Sequence, residues 1–289
     1  MKILILGIDG MIGHKIAQSL SEDFILIGST RKNISNSDIG IKNCNLITHN
    51  FITDNTLTLL DNINPDIIIN CVGITIRRGL NNDYNHTELL NSKLPHKLNK
   101  WVEKKQKKLI HFSTDCVFSG KKGNYFDDSI PDAIDLYGLS KSKGEVKGEN
   151  TLSIRCSIIG REIFNHTELF EWLFSMKNKK IEGYKNVIYS GVTSTWMGKT
   201  INHLIKNNYD LKGIYNISSV PISKYDLLIK LSDAFNLNVD ISLNSNIKSN
   251  KVLISKKFTE ITGINSPNWN DLIVDFKADS DKFSTIYKS

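Results

Sequence analysis

The sequence predicts an α/β protein built on a doubly wound parallel sheet, followed by a smaller mixed C-terminal domain. Three observations carry this. Short, continuous apolar runs alternate with helix-like stretches through the first half. A glycine-rich turn follows the first of these runs directly. The rhythm then loosens after about residue 155, with no Pro/Gly-rich linker and no internal repeat. The strand candidates are Ile3–Leu6, Phe24–Ile27, Ile67–Cys71, Leu109–Phe112 and Leu152–Ile154. Apolar runs of this length suit strands covered by helices on both faces. Helical stretches between them, such as Met11–Leu20 and Glu88–Lys105, imply right-handed crossovers and a parallel sheet.

Composition narrows the function classes. The chain has 289 residues, 40% of them hydrophobic, which excludes a disordered chain and a small stapled domain. No apolar stretch approaches the roughly 18 residues of a membrane span. The opening KILILGI reads as a first strand rather than a signal peptide, so the expectation is a cytoplasmic protein. Cys44, Cys71, Cys116 and Cys156 form no CxxC pair and read as free thiols. No histidines pair at zinc-like spacing, so no metal is expected. The charge of +7 comes from dispersed lysines, with Arg only at 31, 77, 78, 155 and 161. No arginine-rich or aromatic-interleaved stretch points to nucleic acid. The surplus is more consistent with anionic small ligands and a solvated surface.

The turn after the first strand is GIDGMIG, with Gly7, Gly10 and Gly13 spaced GxxGxxG around Met11 and Ile12. Its place between strand and helix is that of a dinucleotide pyrophosphate loop in a Rossmann fold. The glycines allow close backbone approach, and the helix N-terminus offers N–H groups to phosphate. The second strand is followed by Ser29-Thr30-Arg31-Lys32. An NAD site usually has an acidic residue here for the ribose 2′-OH. A hydroxyl and two cations suit a 2′-phosphate instead. NADP(H) is therefore expected, with Arg31 as main contact and Ser29 or Lys32 assisting.

Two segments carry the chemistry. One runs from His111 to Gly120 (HFSTDCVFSG) at a strand end; the other is YGLSKSKGE from Tyr137. Tyr137 and Lys141 share a helix face at i, i+4. A nearby ammonium favours the phenolate and is expected to lower the Tyr137 pKa, making it a general acid for a carbonyl that receives hydride. Thr114 is positioned to hydrogen-bond the same oxygen.

With these motifs, the chain resembles an extended short-chain dehydrogenase/reductase. Within that superfamily it is most similar to the dTDP-4-dehydrorhamnose reductase group of nucleotide-sugar enzymes. Further matching pieces are NPDIIINCVGIT (Asn64–Thr75), Asn91, Arg155-Cys156-Ser157, SGVTST (Ser190–Thr195) and ISKYDLL (Ile222–Leu228). The resemblance implies a cofactor domain over residues 1–155, with a segment returning near 187–217, and a nucleotide-sugar domain over 156–289. It implies catalytic roles for Thr114, Tyr137 and Lys141. Cys71, Gly73 and Ile74 would flank the cofactor's ribose and nicotinamide, Ile74 also facing substrate. Asn50-Phe51 stands where relatives often carry Asp–Phe against the adenine. Arg155 is expected on the sugar diphosphate, with Ser157 beside it. Family members are often dimers, so a homodimer is also implied.

Cys116 stands where relatives that epimerise before reducing carry a cysteine. A thiol there suits proton exchange at the carbon next to a C4 ketone. His166 is the expected second acid/base, with Lys177 the weaker alternative. The resulting expectation is an NADPH-dependent 4-reductase of an NDP-4-keto-6-deoxyhexose with 3-epimerase activity, serving deoxysugar biosynthesis. A UDP-linked 2-acetamido-2,6-dideoxy sugar is the first substrate choice. A monofunctional dTDP-4-dehydrorhamnose reductase and a non-catalytic NADP-binding regulatory subunit, which the β subunit of methionine adenosyltransferase exemplifies, are the alternatives.

Overall fold

A computed structural model describes residues 1–75 and 84–287. Strands β1 (Lys2–Leu6), β2 (Ile25–Thr30) and β3 (Asn45–Thr48) alternate with helices α1 (Gly13–Leu20) and α2 (Thr56–Ile63). β4 (Ile67–Asn70) comes next. Then α3 (Tyr84–Thr87), a π-helical turn (Glu88–Lys93) and α4 (Leu94–Lys105) run on as one helical rod. β5 (Lys108–Phe112), α5 (Leu136–Lys143) and β6 (Thr151–Arg155) complete the first half.

The chain beyond residue 156 feeds both this layer and a second lobe. It contains β7 (Ile158–Ile159), α6 (Leu169–Ser175), β8 (Lys180–Tyr184), β9 (Val187–Tyr189), β10 (Val192–Thr193) and α7 (Ser194–Asn207). β11 (Gly213–Asn216), β12 (Ile222–Ser223), α8 (Lys224–Ala234) and β13 (Asp240–Asn244) follow, then β14 (Ser249–Asn250), α9 (Lys256–Thr262) and α10 (Trp269–Lys282).

One seven-stranded parallel sheet has the order β11-β6-β5-β4-β1-β2-β3. Side chains alternate between its faces. Ile3 and Ile5 pack with Ile16 and Leu20 of α1 and with Met197, Ile201 and Leu204 of α7. Leu4 and Leu6 pack with Leu60 of α2 and Leu94, Leu98 and Trp101 of α4. Both faces are therefore apolar, which is why these strands read as unbroken apolar runs. Each fully buried Ile or Leu contributes about 1.5–3 kcal/mol of transfer free energy. The second lobe has its own core, where Phe170, Leu227, Leu231, Trp269 and Phe276 join α6, α8 and α10.

The strand order reverses between β1 and β4. Their crossovers leave on opposite faces, so the loops after them diverge and open a crevice at the carboxyl ends. Among the described residues, no helix is long and apolar enough to cross a membrane.

Candidate active site

The crevice holds two adjoining cavities that share Gly10, Cys71, Val72, Gly73 and Ile74 in their walls. The longer cavity reaches Ser29, Arg31, Lys32, Asn50 and Phe51. The inner one is walled by Met11, Ile12, Thr75, Tyr137, Lys141 and Glu168.

The glycine turn after β1 is fixed by backbone geometry. Gly7 has φ +75, and its N–H donates to the Ser29 carbonyl at 3.1 Å. A Cβ on Gly13 would lie 2.2 Å from the Gly7 carbonyl oxygen, so only glycine lets α1 start this close to the turn. His14 is buried. Its Nδ1 lies 2.8 Å from the Gly10 carbonyl and its Nε2 2.9 Å from the Tyr287 hydroxyl. Burial pulls its pKa down to about 3, so it packs as a neutral ring.

At the far end, Ser29 is buried with its Oγ facing the Gly7 N–H at 3.4 Å, whereas Arg31 is exposed at the cavity rim. The Lys32 ammonium lies 3.4 Å from the centre of the Phe164 ring and 3.9 Å from Asp9 Oδ2. Asn50 Oδ1 accepts from the Ile52 N–H at 3.1 Å, which shapes the turn, and Phe51 packs edge-on against His49.

At the inner end, α5 begins with an Asp135 cap whose side chain accepts from the Gly138 N–H. Tyr137 and Lys141 sit one turn apart and both reach the cavity. Thr114 caps the short turn after β5. Its hydroxyl accepts from the Cys116 N–H at 3.1 Å and is a hydrogen-bond partner of the Tyr137 phenol. The Lys141 ammonium donates to the Phe112 carbonyl at 2.6 Å. Lys141 thus holds the strand end, not the phenol. The expected lowering of the Tyr137 pKa is corrected accordingly. Burial is the largest influence and pushes the phenol up, with the nearby Cys116, Asp115 and Glu168 adding to it. A raised pKa keeps the proton on Tyr137, which is the form a general acid needs. Burial likewise pushes the Cys116 thiol up to about 12, and Asp115 adds to the effect.

The loop after β4 is clamped by Asn91, which lies in the π turn. Asn91 Oδ1 accepts from the Ile74 N–H at 2.9 Å, and Nδ2 donates to the Ile74 carbonyl and to Ser140. One buried amide therefore ties the cofactor wall to α5. Bulged helical turns of this kind recur at functional sites.

Three expected substrate-side residues are placed elsewhere. Arg155 is 3% exposed and makes a bidentate ion pair with Glu145, both contacts 2.7 Å, plus a bond to the Asp127 carbonyl. Its guanidinium is consumed in the interior, so it does not reach a diphosphate. Ser157 hydrogen-bonds the buried Tyr189 phenol. The chain turns through positive φ at Asn165 and His166, and His166 Nδ1 faces Glu171 Oε2 at 3.5 Å, outside the walls of the two cavities. The same turn brings Asn165 to the longer cavity and Glu168 to the inner one. Glu168 Oε1 accepts from the Thr75 hydroxyl at 2.8 Å. Sequence reasoning reached this segment and chose its histidine on chemical grounds; the carboxylate two residues on carried no motif.

Residues 1–161 match the family described as RmlD substrate binding domain. The chain belongs to that family. The dTDP-4-dehydrorhamnose reductase of Aggregatibacter actinomycetemcomitans is 23% identical over 80% of this chain and 78% of its own. The methionine adenosyltransferase 2 subunit beta of Xenopus tropicalis is 26% identical over 62% of this chain and 57% of its own. The chain spans about half the length of several of the curated relatives it matches. Its fold is shared with a dTDP-4-dehydrorhamnose reductase from Bacillus anthracis solved in complex with NADP, at TM-score 0.78 and 19% identity, covering 96% of this chain and 99% of the other.

In this RmlD-family site the Lys141 ammonium carries a lowered pKa. Burial is the main cause pulling its pKa from 10.5 to about 8, and Glu145 opposes it. Because the folded value lies below the unfolded one, the unfolded chain binds the extra proton between about pH 8 and 10.5. This group's contribution to stability therefore rises with pH across that window. Any role of the ammonium runs the opposite way, being present below about pH 8 and lost above it. Cofactor affinity is expected to show an alkaline limb near pH 8 that Lys141→Met flattens. A limb that persists in the variant assigns it to another group.

Proposed function

We propose that this chain is an NADPH-dependent 4-reductase of an NDP-4-keto-6-deoxyhexose, with 3-epimerase activity on the same sugar. The observation that carries the reading is the placement of Tyr137, hydrogen-bonded to Thr114, and Lys141 in the wall of the inner cavity of a crevice whose outer cavity reaches the glycine turn, Arg31 and Lys32. The chain fits a bound dinucleotide. Gly7 and Gly13 let the strand, turn and helix pack too closely for any side chain, and Gly73 brings backbone to a point where an added Cβ would lie 3.2 Å from Asn91 Oδ1 and 3.9 Å from the Lys141 ammonium. Gly7, Gly10, Met11, Ile12 and Gly13 would hold the pyrophosphate, Asn50 and Phe51 the adenine, and Cys71, Gly73 and Ile74 the nicotinamide ribose.

NADPH, when bound, would be the hydride source for C4 of the sugar. The protein's part is proton delivery and orientation. The Tyr137 phenol gives its proton to O4 as charge develops there. Thr114 steadies the same oxygen, and Lys141 fixes the end of β5 and offers its ammonium to the nicotinamide ribose. Cys116, protonated beside Thr114, is suited to return a proton at C3. The division of labour follows: residues 1–155 with 187–217 bind cofactor, the rest of 156–289 holds the nucleotide sugar, and a homodimer is the assembly to check by light scattering.

The test is a panel of UDP-, dTDP- and GDP-linked 4-keto-6-deoxy sugars, read by NADPH loss and product NMR. The UDP-linked 2-acetamido sugar is expected to turn over. Turnover of the dTDP sugar alone, without solvent exchange at C3, favours the monofunctional reductase. A Cys116→Ser variant that keeps full C3 exchange removes the thiol from the epimerisation.

Cofactor choice gives a separate prediction. Arg31→Ala should weaken NADPH about 10- to 100-fold while leaving NADH nearly unchanged, since only the 2′-phosphate loses a charge-assisted partner. Equal loss for both cofactors would place the phosphate elsewhere. The similarity to methionine adenosyltransferase subunit beta favours one second reading, a regulatory subunit that binds NADP without turnover. No NADPH loss with any sugar of the panel, despite tight cofactor binding, would select it.

A further inference from the structure

One ionisable group of the second lobe stands at the reacting end of the crevice without an assigned role. Glu168 lines the cavity that contains Tyr137 and Lys141. It is held from both lobes, since its Oε1 accepts from the Thr75 hydroxyl at 2.8 Å and its backbone N–H donates to Glu162 Oε2 at 2.7 Å. Its charge reaches the Tyr137 phenol, where it helps to push the pKa up. Cys116 lies in the turn after β5, two residues from the Thr114 that partners the same phenol, so the two groups come from different elements. His166 faces Glu171 instead.

A carboxylate beside the phenol that binds O4 is placed to meet a C–H bond one carbon away from that oxygen. We propose that Glu168 is the base of the epimerisation, taking the proton from C3 next to the C4 ketone. The inference rests on the reductase–epimerase reading above. The C3–H bond breaks and an O–H bond forms on Glu168. The electron pair moves into the C3–C4 bond, and the carbonyl pair moves to O4. The resulting enolate oxygen accepts from the Tyr137 and Thr114 hydroxyls. On collapse, C3 takes a proton from the Cys116 thiol on its other side. That thiol holds its proton at neutral pH because burial has pushed it up to about 12. Glu168 then releases its proton to solvent and the Cys116 thiolate regains one. No oxidant or reductant is consumed.

The experiment uses the full chain with NADP+ in D2O, so that reduction is silent, and follows deuterium entry at C3 by NMR. The probes are UDP-2-acetamido-4-keto-2,6-dideoxyglucose and dTDP-4-keto-6-deoxyglucose. Glu168→Gln is expected to slow exchange at least about 100-fold, in the range general-base removal costs. NADP+ affinity should stay at the wild-type level. Glu168→Asp should recover part of the exchange, and His166→Asn should keep most of it. Exchange in Glu168→Gln within about threefold of wild type overturns the proposal, as does loss only in His166→Asn. If Glu168→Gln and Glu168→Asp both lose NADP+ affinity, Glu168 is a structural residue and the proposal falls. Wild-type NADPH oxidation without C3 exchange overturns this inference alone, whereas no NADPH oxidation with either probe or with the wider sugar panel overturns the reductase reading with it.

Discussion

Tyr137→Phe is expected to slow NADPH-dependent reduction of the keto sugar by about 10²–10⁴-fold, the usual contribution of a positioned general acid. The change removes one O–H and keeps the ring. The phenol is buried against the inner cavity, partnered by Thr114, and raised in pKa, so at neutral pH it carries its proton on the unreacted site. Phe fills the same space and cannot donate. The effect should fall on kcat, with NADP+ affinity and thermal midpoint close to wild type, because Lys141 keeps its bond to the Phe112 carbonyl. Initial rates by NADPH absorbance, with cofactor titration in parallel, measure it. A variant that keeps its rate within about threefold would remove Tyr137 from the chemistry.

The largest expected stability effect lies at Arg155. Glu145 and Arg155 are both almost fully buried and joined by two contacts of 2.7 Å. Arg155→Ala leaves the Glu145 carboxylate without its counter-charge, with the Ser113 hydroxyl as a remaining partner. Breaking a buried pair from one side costs about 3–5 kcal/mol, whereas replacing both partners by apolar residues is often neutral or better. Denaturant unfolding should therefore show a lowered midpoint for Arg155→Ala and substantial recovery in the double variant Arg155→Met, Glu145→Leu. An Arg155→Ala protein of unchanged stability but raised KM for the nucleotide sugar would return the guanidinium to the ligand. Glu145 also opposes the lowering of the Lys141 pKa, so the pair connects the second half of the sheet to α5.

The periodic and local features were readable from the chain. Unbroken apolar runs marked β1, β4 and β5 because both faces of a parallel sheet are buried. GIDGMIG marked the turn because the approach of α1 to Gly7 excludes any Cβ at Gly13. Tyr137 and Lys141 were paired by helical spacing, and the structure brings both to the inner cavity. Arg155 failed for a physical reason: an arginine in a motif looks the same whether its counter-charge is a ligand or a buried glutamate ten residues away. Asn91 matched a family position, but its clamp on Ile74 depends on the π turn, which has no sequence signal.

The sequence by itself determined the fold class, the glycine turn and the helical spacing of Tyr137 and Lys141, since these follow from short-range periodicity and backbone sterics. Tertiary structure alone decided which charges face the cavity and which neutralise one another inside. The turn through positive φ at Asn165 and His166 directs His166 toward Glu171 and brings Glu168 to Tyr137. Burial, not the Lys141 charge, sets the phenol's pKa. Desolvation and partner choice depend on contacts between residues far apart in the chain, and no local pattern encodes them.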